Sequence, residues 1–236
     1  MQLSMRDLTR LLEVDESTVS RWIKQRRLPA QQVAGQYRVN RSELLEWATA
    51  NGVRVSLELF DNLESDDEPA PSLESALELG GIHYRLQHHN KDEAIKALVQ
   101  VLPLPDGIDR ELLLRLFLAR EAAATTAIGN GIAIPHVRNP IVLQVEQPVV
   151  TLCFLATPID FGALDGKPVQ VLFSLVCPTT RSHLQMLARL SYALHDAKFK
   201  DVLTRQGKRD EILKELRRIE AGLTAPATEG RKAAPK

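Results

Sequence analysis

Two cysteines, two tryptophans and an aromatic content of 5% leave this 236-residue chain poor in the residues that organise small stapled folds. Cys153 and Cys177 both sit in apolar, β-like runs. That placement reads as two buried thiols in a reducing compartment, not as a disulfide framework or a zinc site. No apolar stretch approaches the roughly 20 residues that cross a bilayer, which argues against membrane insertion. The opening MQLSMRDLTRLLEVDE has neither a long apolar core nor a small-residue cleavage site, so no signal peptide and a cytoplasmic location are expected. Net charge is missing as well, with 30 basic against 30 acidic residues. Nothing global therefore advertises nucleic acid or an anionic surface.

What is present is ordinary for a globular chain: 44% apolar and 25% charged residues in 26.3 kDa, enough for one large domain or two small ones. The neutrality hides a local asymmetry. The first 55 residues carry more Arg and Lys than acids, whereas 56–75 carry only acids, from Glu58 to Glu74. Within that acidic stretch, NLESDDEPAPS repels itself and disfavours helix, so 53–74 is expected to be a linker. It separates a unit over 1–52 from a larger one over 75–221, and 222–236, which ends in TAPATEGRKAAPK, is expected to be a disordered tail.

In the larger unit, Lys91–Leu102, the segment after Asp109, Ser182–Ala197 and Asp210–Ile219 carry helical apolar spacing, with Asp109 a candidate N-cap. PVVTLCFLAT and PVQVLFSLVC are short, apolar and β-branched, and read as strands buried on both faces. Helices interleaved with buried strands predict an α/β domain, a mixed sheet flanked by helices. In the smaller unit, Ser4 and Asp7 have capping-box spacing before MRDLTRLLE. ESTVSRWIKQRR places Val19, Trp22 and Ile23 on one face, with Ser17, Thr18, Arg21 and Lys24 on the other. LPAQQVAGQYRV reads as a hairpin turning at Ala34-Gly35, and RSELLEWATA as a third helix.

The order helix, turn, helix, wing, helix over residues 3–50 resembles the excisionase-like and MerR-like winged helix-turn-helix family, with Arg27 standing where many members carry Gly. The resemblance implies that 17–25 enter the major groove, with Ser17, Thr18, Arg21 and Lys24 facing DNA and Arg38 on the wing. One such module makes few phosphate contacts, so specific binding implies a homodimer or a further DNA-binding partner.

The most informative stretch is Gly129-Asn130-Gly131-Ile132-Ala133-Ile134-Pro135-His136. It reads as a Gly-rich turn, a short apolar strand, then Pro135 biasing Ile134 to extended backbone and leaving His136 past the strand end. A fixed neutral imidazole there is a nucleophile able to accept a phosphoryl group. Arg120 ends a helix upstream, Thr125 and Thr126 bring hydroxyls, Gly129 and Gly131 flexible backbone, and Ser182-His183 opens the next helix.

LARE (118–121), TTAIGNGIAIPH (125–136), PIDFGALDGKPV (158–169) and HLQML (183–187) together resemble enzyme IIA of the fructose–mannitol type of the phosphoenolpyruvate-dependent phosphotransferase system, nearest its nitrogen-regulatory branch. The resemblance implies that His136 is phosphorylated, that His183 hydrogen-bonds it and that Arg120 helps hold the phosphoryl group. It implies a phosphate contact for Thr125, Thr126, Gly129 and Gly131, with Ala127 standing where the family usually has Gly. It further implies an HPr-type phosphoryl donor, no metal and no cofactor. Two alternatives stay open at this point: a sugar-transport IIA passing phosphoryl to a IIB domain, and a phosphorylation-dependent interaction module.

Overall fold

The computed structural model describes residues 2–25, 28–33, 35–56, 72–137 and 145–224. Arg27, most of the expected linker and the tail beyond 224 lie outside the described residues.

The N-terminal unit runs β1 (Gln2–Leu3), α1 (Met5–Leu12), α2 (Glu16–Gln25), β2 (Gln31–Val33), β3 (Gln36–Asn40) and α3 (Arg41–Ala50). Its start is fixed by the expected capping box: Asp7 N–H donates to Ser4 Oγ while Ser4 N–H donates to the Asp7 carboxylate. Each bond satisfies an amide that the first helical turn leaves without a partner. The three strands form an antiparallel sheet in the order β1-β3-β2, with Val33 paired to Gln36 across the wing turn. Trp22 of α2 lies against Trp47 of α3, ring centroids 5.3 Å apart.

The larger unit starts with α4 (Leu73–Gly80), capped by Ser72, so regular structure begins inside the stretch expected to be linker. It continues with β4 (Ile82–Leu86), α5 (Lys91–Val101), α6 (Arg110–Ala123), β5 (Ala127–Gly129) and β6 (Ile132–Ala133). After these come β7 (Val149–Ile159), β8 (Val169–Val176), α7 (Thr180–Ala193), α8 (Ala197–Thr204) and α9 (Arg209–Thr224). Helix α9 thus runs on to Thr224, past the point where a tail was expected. The strands order as β4-β7-β8-β6-β5, parallel for β4/β7 and β6/β8 and antiparallel for the other two pairs. The fold is therefore a mixed α/β sheet with helices on both sides and a small N-terminal helix-turn-helix unit.

Alternation along the two long strands divides the core. Val150, Leu152 and Phe154 of β7, with Val171, Phe173 and Leu175 of β8, face the side covered by α4, α7, α8 and α9. Cys153, Leu155, Leu172 and Val176 face the side covered by α5 and α6. Both sets are buried, as continuous β-branched runs require. Burial pushes the Cys153 and Cys177 thiols up to about 12. The apolar cluster on the first side does not stop at the larger unit. It continues through Leu44, Leu45, Trp47 and Ala48 of α3, so the two units pack on one another. Residues 53–56 run back along α1, with Ser56 N–H donating to the Leu11 carbonyl at 2.7 Å.

A long-range cap ties the chain ends of the larger unit. The Glu220 carboxylate on α9 accepts from Ser72 Oγ at 2.8 Å, Leu73 N–H at 2.7 Å and Glu74 N–H at 3.0 Å. It also accepts from Arg189 at 3.2 Å. A carboxylate there meets both the free amides and the positive end of α4.

Candidate functional site

Strands β6 and β8 are parallel neighbours, and their carboxyl ends lie at one edge of the sheet. Just beyond β6 the chain reaches Pro135 and then His136, which forms a lone bridge with Leu175 of β8. Beyond β8 the chain passes Cys177-Pro178 and enters α7, whose N-cap Thr179 forms a capping box with Ser182. His183 follows in that first turn. The two rings meet here, centroids 5.1 Å apart and planes inclined by 38°. A crevice at the carboxyl ends of parallel strands, beside a helix N-terminus, is where α/β sheets receive anionic ligands.

The tautomer of His136 follows from one bond. Its Nδ1 lies 2.7 Å from the Ile134 carbonyl. A carbonyl only accepts, so Nδ1 carries the proton and the lone pair of the neutral ring sits on Nε2. Ile134 is held in turn, its N–H donating to the Thr126 carbonyl at 3.0 Å. Thr126 is then held by Glu121: its N–H and its Oγ1 both donate to Glu121 Oε2, at 3.0 and 2.6 Å. Glu121 is 4% exposed and is also paired with Lys91 Nζ at 3.4 Å. A chain of bonds therefore runs from a buried carboxylate to the imidazole.

This network engages part of the expected phosphate-contact set in bonds within the fold. The Thr126 hydroxyl gives its single proton to Glu121, and the Thr125 hydroxyl gives its own to the Phe161 carbonyl at 2.7 Å. Neither can donate to a phosphate without breaking a bond of the fold. Gly129 and Gly131, the other members of that set, have their own place in the fold. They form the tip of the β5–β6 hairpin, at the far end of the strand from His136. There Asn130 N–H donates to the Asp165 carboxylate at 2.7 Å. Gly129 has φ +86, and a Cβ on it would sit 3.1 Å from Asp165 Oδ2. The glycines serve a tight turn docked on the 160–168 loop. Arg120 lies in the last turn of α6, its Nη1 donating to the Ala124 carbonyl at 2.8 Å, which shapes the turn into Thr125.

Two participants were not singled out in advance. Glu121 is on the buried stripe of α6 with Leu113 and Phe117, a spacing of four each time. A carboxylate on an apolar stripe is a readable signal for a buried polar anchor. Asp165 carried no such signal, because its role depends on which hairpin folds against it.

The N-terminal unit presents a different surface. On α2, Val19 is buried while Ser17, Arg21 and Lys24 are exposed and Thr18 is half-buried. Ser17 Oγ and Thr18 N–H both donate to the Asp15 carboxylate, at 2.7 and 2.6 Å, which caps the helix. Those bonds hold the Asp15 carboxyl below the usual aspartate range. Arg38 stands on β3, its Nη2 donating to Gln36 Oε1 at 3.0 Å. Among the described residues no cluster of His, Cys, Asp and Glu could hold a metal ion, and no helix is long and apolar enough to cross a membrane.

Fold and site together define a class: an α/β domain with a histidine pair at the strand ends, carried beside a helix-turn-helix unit. Residues 76–219 match the family model for the phosphoenolpyruvate-dependent sugar phosphotransferase system, EIIA 2, and the chain belongs to that family. Residues 3–52 match a helix-turn-helix domain. A nitrogen regulatory protein of Pseudomonas aeruginosa is 38% identical over 102 residues, 42% of this chain and 64% of that protein. One from Bradyrhizobium diazoefficiens is 34% identical over 113 residues, 47% of this chain and 72% of its own length. The crystal structure of nitrogen regulatory protein IIA-Ntr from Neisseria meningitidis superposes with a TM-score of 0.54 at 25% identity, covering 61% of this chain and 98% of that one.

Proposed function

We propose that this chain is a regulatory phosphocarrier of the phosphotransferase system, accepting a phosphoryl group on His136 from an HPr-type protein and linking it to DNA binding. The observation that carries the reading is the His136–His183 pair with the Nδ1 proton fixed by Ile134. In the transfer, the Nε2 lone pair attacks the phosphorus of a donor phosphohistidine. The new N–P bond forms as the donor N–P bond breaks, and the lone pair of that bond returns to the donor ring. No proton need move, because Nδ1 already holds the one the neutral ring carries.

His183 and the first turn of α7 supply an orienting imidazole and a positive helix end toward the charge spread over the phosphoryl oxygens. Arg120 stands by as the cation expected from the family resemblance. No metal or nucleotide enters the reaction. The exposed Arg21 and Lys24 of α2, with Arg38 on the wing, support the DNA-binding half of the proposal. A helix-turn-helix unit on the same chain favours regulation over sugar transport, the alternative in which phosphoryl passes to a IIB domain.

Incubation with phosphoenolpyruvate, enzyme I and HPr, followed by mass-spectrometric mapping, tests the acceptor. Acid-labile label is expected on His136 and absent from His136→Ala. His183→Ala should slow uptake without moving the label. Label on any other residue, or undiminished labelling of His136→Ala, overturns the assignment.

A further inference from the structure

Phosphoryl transfer places two demands on the His136 ring. Its Nε2 must carry the lone pair, and that lone pair must point in line at the donor phosphorus, with reacting atoms about 3–3.5 Å apart. Both depend on the bond from Nδ1–H to the Ile134 carbonyl at 2.7 Å. Without that acceptor the proton is not held on Nδ1, and a neutral ring protonated on Nε2 has no lone pair to offer there.

The acceptor is itself held at a distance. Its amide is the one shared with Pro135, which has no N–H. The antiparallel ladder of β5 and β6 pairs Ala127 with Ala133. The next bond, from Ile134 N–H to the Thr126 carbonyl at 3.0 Å, is followed by Pro135, which has no donor to extend the ladder. Thr126 is fixed in turn by Glu121 Oε2, which accepts from its N–H at 3.0 Å and from its Oγ1 at 2.6 Å. Two bonds to one oxygen set both the backbone and the side chain of Thr126. Glu121 stands in the last turn of α6, and its Oε1 meets Lys91 Nζ at the start of α5, 3.4 Å away. The carboxylate is 4% exposed, so it ties the hairpin that ends in His136 to two helices from inside the fold.

This anchorage counts for more during transfer than before it. As the new N–P bond forms and the donor N–P bond breaks, the accepting ring takes on positive charge. Nδ1–H then becomes a charge-assisted donor, and its bond to the Ile134 carbonyl strengthens. An interaction that is stronger in the transition state lowers the barrier, provided that the carbonyl stays in line.

We propose that Glu121 is the positioning residue of the phosphoacceptor: through Thr126 and the Ile134 carbonyl it holds the His136 ring with its proton on Nδ1 and its Nε2 lone pair toward the donor. The proposal rests on the reading of His136 as the acceptor. The action is one of geometry, not of charge. A neutral side chain of the same shape that still accepts hydrogen bonds should therefore serve, and an apolar one of similar length should not.

Nitrogen-15 NMR of the full chain at about pH 8.5, where imidazoles are neutral, reads the His136 tautomer with no phosphotransferase component present. Uptake from phosphorylated HPr, at saturating and lower donor concentrations, reads the transfer. Both are measured at a temperature where every variant is folded. Glu121→Met fills the space but accepts no hydrogen bond. It is expected to lose the predominance of the Nδ1–H form and to lower the maximal uptake rate at least about tenfold, with the half-saturating HPr concentration unchanged. Glu121→Gln keeps an acceptor for Thr126 and should restore the tautomer and bring the rate within about threefold of native. A merely structural role would lower stability and leave both readouts of the folded chain in place. Should Glu121→Met fail to fold, Thr126→Val carries the test: it removes the shorter bond, and a partial tautomer shift with a slowing of about threefold is expected. Native tautomer and native rate in the folded test variant overturn the proposal, and so does a Glu121→Gln chain as slow as Glu121→Met. If the tautomer shifts as expected but no phosphoryl reaches His136 even in the native chain, the positioning stands and the phosphocarrier reading fails. Uptake on His136 that is indifferent to the variants gives the reverse.

Discussion

The carboxylate beneath the histidine site offers the sharpest test of the structural reasoning. Replacing Glu121 by Ala removes the acceptor for Thr126 N–H and Oγ1–H, and the partner of Lys91. Each bond to a charged acceptor contributes about 1.5–3 kcal/mol. Lys91, a third exposed, adds little. The Thr126 hydroxyl can rotate to another acceptor, so the full sum is not lost. A net destabilisation of about 3 kcal/mol is expected. In a chain of this size that corresponds to a fall in Tm of roughly 6–12 °C. Urea unfolding followed by circular dichroism reads it directly. Thr126→Val keeps the amide bond and should cost only about 1 kcal/mol. The double variant should be less destabilised than the sum, because the two side chains share one bond. A loss below about 0.5 kcal/mol for Glu121→Ala, the range of ordinary surface substitutions, would refute the anchoring role.

Glu220→Ala should cost about 2 kcal/mol, since it removes the acceptor of the Leu73 and Glu74 amides at the start of α4 and the ion pair with Arg189, at a site where both side chains are 12% exposed. Hydrogen exchange should show the loss concentrated at 72–77. Cys153 and Cys177, with thiols pushed up to about 12 by burial, should not react with an aromatic disulfide at pH 8 until the chain is unfolded. Rapid labelling of either in the native chain would contradict the core described above. Asp196 is held below its ordinary value first by Arg218 and also by the Phe199 amide, in spite of partial burial. A carboxyl depressed in the folded state stabilises above its unfolded pKa and loses that contribution as pH falls through the folded one. Asp196→Asn should therefore be slightly less stable than native at neutral pH, by under about 1 kcal/mol for so exposed a pair, with the gap closing in acid. A gap that widens in acid would reverse the assignment.

The amino-acid sequence by itself determined the elements and the chemistry at the strand end. Continuous apolar, β-branched runs made β7 and β8 buried strands, Ser4 and Asp109 capped the helices they precede, and the pattern ending in Pro135-His136 placed an imidazole past β6. These are local facts, set by backbone sterics and by side-chain periods of two and 3.6 residues. Tertiary structure alone decided which polar groups meet. The hydroxyls of Thr125 and Thr126 turned inward to Phe161 and Glu121, and the amide of Asn130 went to Asp165, 35 positions away. Glu220 caps a helix that begins 147 positions earlier. The same holds for the contact of α3 with α7, which joins two sequence units across an acidic stretch. A hydrogen bond or a packed face is satisfied by whichever partner the fold delivers. Spacing along the chain carries no record of that choice when the partners lie on different elements.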